Sequence, residues 1–226
     1  MSLAQPKRIL IIKLRHHSDV LLSTPVVDAL KTRFPDCEID MLVYAGTGQL
    51  IADNPQIAQI FTIDRNWKKL GVFKQLACEK NLLSKLKARD YDWAFNLSDQ
   101  WRAAIIAKLC ARCSVGLDCI KRDGFWWRFC HDFINHELDT SHHIVENQLN
   151  ILAPLIQPED VADAKVRLWV AQDARESMRQ KLREQGWSGE DYVLLHPGAR
   201  WHFKCWEDGK NAAIVQLLLN RGQNVV

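Results

Sequence analysis

The sequence predicts an α/β fold: a doubly wound parallel sheet followed by a smaller, incomplete unit of the same kind. Three observations predict it. Short apolar runs rich in β-branched or aromatic residues alternate with longer stretches of helical periodicity. Polar, glycine- or proline-bearing loops separate them. No apolar run is long enough to span a membrane. A succession of strands and helices in alternation argues for parallel strands with helices on both faces.

The elements follow in order. Residues 9–14 read as a buried strand that empties into the polar loop Arg15-His16-His17-Ser18-Asp19. Val26, Leu30 and Phe34 recur at helical spacing behind Thr24 as N-cap and Pro25 in the first turn. Residues 38–44 form the next strand, Gly46-Thr47-Gly48 a loop, and residues 60–64 a third strand. From 70 to 89 a long helix is expected, with Phe73, Leu76, Ala77, Leu82, Leu83 and Leu86 on one face and lysines opposite. A strand at 91–97, a helix at 102–109, a short strand at 114–117 and a helix at 143–155 complete residues 1–156 as the first domain. Residues 157–165 read as a linker, since Gln157-Pro158-Glu159-Asp160 has a linker's composition. The second unit, 166–226, carries strands at 166–170 and 192–195, helices at 174–185 and 211–221, and the start of a strand at 224–226.

The composition narrows the function classes. The chain has 226 residues, 47% of them hydrophobic, with nine tryptophans, which suits a globular core. The N-terminus lacks the succession that marks a signal peptide, so a cytosolic protein is expected. A net charge of +3 argues for no nucleic-acid partner. The seven cysteines are expected to be reduced thiols. Cys110 and Cys113 form a C-x-x-C, but no second ligand pair stands at zinc spacing, so no metal is called for.

Two loops carry the candidate chemistry. Asp19 follows a strand end, where open α/β sheets bind ligands; it reads either as a base or as a helix cap. His16 and His17 beside it read as ligands, bases or solvated loop residues. The run His196-Pro197-Gly198-Ala199-Arg200-Trp201-His202-Phe203-Lys204 lies between a strand and a helix. It reads as an anion site, with Arg200 forked on phosphate oxygens and Lys204 as a point charge, or as an ordinary connection with solvated cations. Two basic and aromatic clusters, Arg65, Trp67, Lys68 and Lys69, then Lys121, Arg122, Trp126, Trp127 and Arg128, point to an anionic, membrane-proximal partner or to an amphipathic surface. No G-x-G-x-x-G follows the first strand, which argues against a dehydrogenase.

Four segments in order, Lys13 to Pro25, Glu38 to Thr47, His143-Ile144-Val145-Glu146-Asn147, and His196 to Arg200 with Lys204 and Trp206, resemble the bacterial lipopolysaccharide core heptosyltransferases. These are glycosyltransferase family 9, of GT-B fold; the first segment with Tyr44-Ala45-Gly46-Thr47 is most similar to the heptosyltransferase III subgroup. The resemblance implies an N-terminal Rossmann-like domain for the acceptor, the phosphorylated inner core of lipopolysaccharide, and a C-terminal one for an ADP-heptose donor. It implies Asp19 as the general base of an inverting transfer. It assigns Lys204, Arg200, Gly198 and Ala199 to the donor, and Arg65, Lys68, Lys69 and Arg122 to acceptor phosphates. No metal or cofactor is implied, and peripheral contact with the cytoplasmic face of the inner membrane is. A non-catalytic module that binds the core acceptor is the competing expectation.

Two departures from the family pattern carry expectations of their own. Ser18 stands where the family usually has glycine, which costs strain if the site needs a positive φ. The glycine-rich turn and acidic residue that hold the donor nucleotide in the family are absent. A truncated donor domain with impaired donor binding is therefore expected.

Overall fold

The computed structural model describes residues 5–117, 124–135, 141–199 and 201–226, with the Pro158 side chain left aside. The chain forms two compact units, Met1–Trp169 and Val170–Val226.

The first unit runs β1 (Arg8–Lys13), α1 (His17–Leu21), α2 (Thr24–Arg33), β2 (Glu38–Tyr44), β3 (Gln59–Ile63), α3 (Val72–Ala88), β4 (Tyr91–Asn96), α4 (Trp101–Cys110), β5 (Ala111–Leu117), α5 (Phe125–Phe129), β6 (Phe133–Asn135) and α6 (Ile144–Leu149). Its sheet has six strands in the order β3-β2-β1-β4-β5-β6, and every pairing is parallel. The order reverses between β1 and β4, where Ile9 lies opposite Ile39 on one side and Trp93 on the other. A crevice outside the carboxyl ends of these two strands is where such sheets take ligands.

The β1 sequence explains its central place. A strand with neighbours on both sides and helices on both faces must be apolar throughout, and Ile9, Leu10, Ile11 and Ile12 are fully buried. They divide by the two-residue period of a strand. Ile9 and Ile11 join Val26, Leu30, Ile39, Met41 and Phe95 on one face. Leu10 and Ile12 join Leu42, Leu82, Leu86 and Ile106 on the other.

Buried charge is placed with equal care. The Asp40 carboxylate of β2 is wholly enclosed, and Arg89 grips it in two bonds, Nε to Oδ2 at 2.7 Å and Nη2 to Oδ1 at 3.2 Å. The Tyr91 hydroxyl donates to the same Oδ2 at 2.7 Å. Burial, reinforced by this bond, pushes the Tyr91 phenol well above its ordinary range.

Several expectations change. The predicted loop after β1 is largely the helical turn α1. Ser23, not Thr24, precedes α2 at the N-cap position, with Thr24 at its first residue. On α3 the buried residues are Leu82 and Leu86, whereas Phe73 is 89% exposed and Leu76 59%. The expected single face is two stripes, because only the C-terminal half of this helix lies against the sheet. The strand expected at 166–170 does not form. The Lys165 and Arg167 amides instead donate to Asp28 Oδ2 and Thr24 Oγ1 of α2, each at 3.2 Å, so the segment is tied to a helix rather than a strand. The Gln157–Asp160 stretch is part of a 3-10 turn, Pro158–Val161, held to α2 by the Arg33–Asp160 pair at 3.2 Å. Helix α5 and strand β6 were not foreseen.

Cys110 and Cys113 are buried, free thiols, and burial pushes both up to about 11. Cys119 lies outside the described residues. Among the described residues no helix is long and apolar enough to cross a membrane.

The second unit contains α7 (Gln172–Glu184), β7 (Tyr192–Val193), α8 (Asp208–Asn220) and β8 (Asn224–Val225). The two strands pair in parallel, Tyr192 opposite Asn224. None of its described residues is buried.

Candidate functional site

The carboxyl ends of β1, β2 and β4 surround a cavity of about 280 Å³ lined by Leu14, Arg15, His16, Tyr44, Arg65, Lys68, Gln100 and Arg102. The lining comes from the residues after β1, the last residue of β2, the 3-10 turn Arg65–Lys69 after β3, and the head of α4. The floor is a hydrogen-bonded chain: Tyr44 Oη donates to Gln100 Oε1 at 2.6 Å, and Gln100 Nε2 donates to the Leu14 carbonyl at 2.9 Å. These bonds fix the ends of β1, β2 and the start of α4 to one another.

The lining is cationic. Arg15 pairs with Asp99 at 2.8 Å, and Arg102 pairs with Glu79. Arg65 stacks on Tyr44, its guanidinium carbon 4.2 Å from the ring centre, and donates to the Arg15 carbonyl at 3.3 Å. Neither Arg65 nor Lys68 has a carboxylate partner among the described residues. Stacking leaves the edge of a guanidinium open to bidentate bonds with a phosphate or carboxylate. Arg65 and Lys68 thus give the cavity two cations whose chemistry suits an anion.

Asp19 is joined to this cavity through His16. It is the third residue of α1 and half-buried, and its Oδ2 accepts the His16 N–H at 3.2 Å. Base and cap were posed as alternatives for Asp19, and this bond gives it a capping role at the start of α1. His17 steadies the turn from the other side. Its Nε2 lies 3.1 Å from the Gly46 carbonyl, and since a carbonyl only accepts, that nitrogen carries the proton. Gly46 has φ +84°, a left-handed conformation that explains glycine there. Ser18, by contrast, sits in the helical backbone of α1. Among the described residues Asp90 is the only non-glycine with positive φ, so Ser18 carries no such strain.

Beneath the loop lies Lys13, only 4% exposed, its Nζ donating to the Leu97 carbonyl at 3.0 Å. Burial pulls its pKa down to about 8, and the nearby Asp19 carboxylate offsets part of that effect.

The structure thus brings Arg65 and Lys68 into one cavity, and Asp19 is bonded to the backbone of His16, one of its lining residues. Lys69 is exposed and does not line the cavity. Arg122 and Arg200 lie outside the described residues. In the second unit Gly198 and Ala199 are exposed, and the Ala199 N–H points to Cys205 Sγ at 3.2 Å. Lys204 ends the 3-10 turn His202–Lys204, exposed, with Nζ 5.9 Å from the centre of the Phe203 ring. Sequence reasoning did not single out Lys13, Arg15, Tyr44, Gln100 or Arg102 as site residues. Lys13, Arg15 and Tyr44 share one signal, a place at the end of an apolar run, and Gln100 and Arg102 stand at the start of the next helix.

The likenesses to known proteins agree with this architecture. The chain is 35% identical over 216 residues to lipopolysaccharide heptosyltransferase 3 of Escherichia coli K12, covering 94% of this chain and 60% of that protein. It is 21% identical to lipopolysaccharide heptosyltransferase 1 of Campylobacter coli, again over 94% of this chain and 60% of the relative. The chain thus spans about 60% of the length of these curated relatives. Among solved structures, a glycosyl transferase family 9 protein from Veillonella parvula superposes with a TM-score of 0.83 at 19% identity, covering 100% of this chain and 62% of that one. E. coli heptosyltransferase WaaC, solved with ADP-2-deoxy-2-fluoro heptose, superposes at 0.71 and 18% identity, over 96% of this chain and 67% of that one. The sequence model of glycosyltransferase family 9 (heptosyltransferase) matches residues 80–226. With most of its length matched, and with the α/β fold of the solved relatives, the chain belongs to glycosyltransferase family 9, the heptosyltransferase family.

Proposed function

We propose that the chain serves the transfer of L-glycero-D-manno-heptose from ADP-heptose to the phosphorylated inner core of lipopolysaccharide. The observation that carries this reading is a cationic cavity outside the ends of β1 and β2 whose lining residue His16 donates its backbone N–H to Asp19. Residues 1–156 take the acceptor, with Arg65, Lys68, Lys69 and Arg122 assigned to its phosphates. Residues 166–226 contribute to the donor site through Gly198, Ala199, Arg200 and Lys204.

In this mechanism Asp19 removes the proton of the acceptor hydroxyl. The oxygen attacks the anomeric carbon from the face opposite the diphosphate, a new C–O bond forms, and ADP departs with the electron pair of the bond it leaves. Inversion follows from that single displacement. Lys204 offsets the charge that grows on the departing diphosphate. The acceptor's lipid anchor places the reaction at the cytoplasmic face of the inner membrane.

The test is transfer of labelled heptose to a soluble phosphorylated core oligosaccharide by the wild-type chain and by Asp19→Asn. Loss of turnover by roughly 10²–10⁴-fold with oligosaccharide binding retained is expected; turnover close to wild type would remove Asp19 from the base role. Arg65→Ala with Lys68→Ala is expected to weaken oligosaccharide binding in a titration, with a loss that shrinks at high salt.

A second reading, a non-catalytic module that binds the core acceptor, is favoured by one observation. The described part of the second unit buries no residue, so the donor side has no core of its own. Oligosaccharide binding by the wild-type chain without any transfer would select this reading.

A further inference from the structure

The N-terminal half of α3 presents apolar side chains that nothing in the first unit covers. Val72 is 71% exposed, Phe73 89% and Leu76 59%, and Leu70 just ahead of them is 45% exposed. At 3.6 residues per turn, Val72, Phe73 and Leu76 form one stripe, turned roughly 110° around the helix from the buried Leu82 and Leu86. The helix therefore packs on the sheet by one edge and offers a second apolar edge outward.

The charge around that stripe is one-sided. Within α3, Lys74, Lys80, Lys85 and Lys87 are exposed, and the only carboxylate is Glu79, already paired with Arg102. Lys80 and Lys87 continue the azimuth of the apolar stripe towards the helix C-terminus, so the edge is apolar at one end and cationic at the other. A core-facing surface would not carry lysines along its own line. An interfacial helix does: apolar and aromatic side chains enter the acyl boundary while lysines meet anionic headgroups.

A second exposed aromatic group lies on the same side of the sheet. Phe125, Trp126 and Phe129 of α5 are 74%, 67% and 59% exposed. Helix α5 is fastened to α4 by Trp127 against Trp101, ring centres 5.6 Å apart, and α4 shares the core of α3.

We infer that the Leu70–Leu76 edge of α3 is a docking surface for an anionic lipid bilayer. The 3-10 turn Arg65–Lys69 connects the two functions. It supplies Arg65 and Lys68 to the cavity and leads directly through Leu70 and Gly71 into the apolar edge. Gly71, with φ +79°, makes that corner. A headgroup-linked sugar drawn from the bilayer would emerge beside the cationic cavity. The inference rests on the functional reading for this purpose, but the surface itself rests on exposure and charge.

Flotation of the full chain with vesicles of phosphatidylcholine, with or without phosphatidylglycerol, tests it. The wild-type chain is expected to float with the anionic vesicles, weakly with the neutral ones, and to be released by salt. Phe73→Ser with Leu76→Ser, both surface changes outside the cavity, is expected to reduce partitioning by roughly tenfold or more with an unchanged circular dichroism spectrum. Lys80→Glu with Lys87→Glu is expected to reduce partitioning into the anionic vesicles only. Wild-type flotation that ignores phosphatidylglycerol, or a serine pair that floats like wild type, overturns the inference. So does a wild-type dimer in sedimentation velocity that the serine pair converts to monomer, since a second copy would then own the surface. Binding of the soluble core oligosaccharide is measured alongside. Its absence in the wild-type chain would sink the acceptor reading while leaving the vesicle result to stand.

Discussion

Arg89 and Asp40 are the clearest case in which one side chain determines whether another can be tolerated. Asp40 has no exposed surface, and Arg89 meets it in a bidentate pair through Nε and Nη2 while Nη2 also holds Glu38 at 2.7 Å. Removing the cation leaves an enclosed carboxylate with no counter-charge and only the Tyr91 hydroxyl bond to hold it. Arg89→Met is expected to cost about 3 kcal/mol in a urea melt, the effect of breaking a buried pair from one side. Arg112→Met, which disturbs a pair at Asp90 where both side chains are 66% exposed, is expected to cost less than about 1 kcal/mol. The sequence displayed the contrast only in part. Asp40 stood inside an apolar strand, which marks an interior charge, but its partner lies 49 residues away. Arg65 and Lys68 were legible as a basic cluster beside a strand end. Arg15 and Arg102 were not, because their convergence depends on which strands become neighbours.

Elements were legible where local pattern and tertiary demand coincide. Strand β1 reads as an unbroken apolar run from Ile9 to Ile12, and β2 and β4 as apolar runs interrupted by Asp40 and Asp92, because both their faces are covered. Helix α1 was missed: five residues, several of them polar, carry no periodicity, and its turn is held by His16–Asp19 and His17–Gly46 contacts. Strand β6, of three residues, exists only through its pairing with β5. The segment after 164 was misread for a related reason. Its β-branched run is satisfied by α2 rather than by another strand, and Asp28 is the hinge of that arrangement. Burial pushes the Asp28 carboxyl up, but hydrogen bonds from Gln56, the Lys165 N–H and Arg167 outweigh it and hold it below the usual carboxylate range. A carboxyl held low in the folded state stabilises above its unfolded pKa, and the contribution disappears as pH falls through the folded value. Protection of the Lys165 and Arg167 amides from hydrogen exchange is expected to fall once pH drops below about 4. In Asp28→Ala it is expected to be low at neutral pH as well.

On the scale of the whole molecule the two units differ in kind. The first has a six-stranded sheet with clusters of buried side chains on both faces. The second pairs two short strands and buries none of its described residues. Two strands and two helices without an interior have little apolar burial to set against the entropy of ordering the chain. Limited trypsin digestion is expected to cut within 170–226 first and to leave a resistant fragment ending near Trp169. Equal resistance of both units would contradict this. The sequence marked the existence of two units through the change of composition near Pro158. It did not show that Lys165 and Arg167 belong with the first, because that membership comes from hydrogen bonds to α2.

Asp19 has two oxygens, and the backbone of its own helix has already engaged one. With Oδ2 facing the His16 amide, Oδ1 is the atom left to face an incoming group. In the proposed mechanism this makes Asp19 a handed base, with Oδ1 turned to the reacting hydroxyl and Oδ2 held by the helix backbone. Regiochemistry among the several hydroxyls of a sugar would then be set less by contacts to the sugar than by a single main-chain N–H.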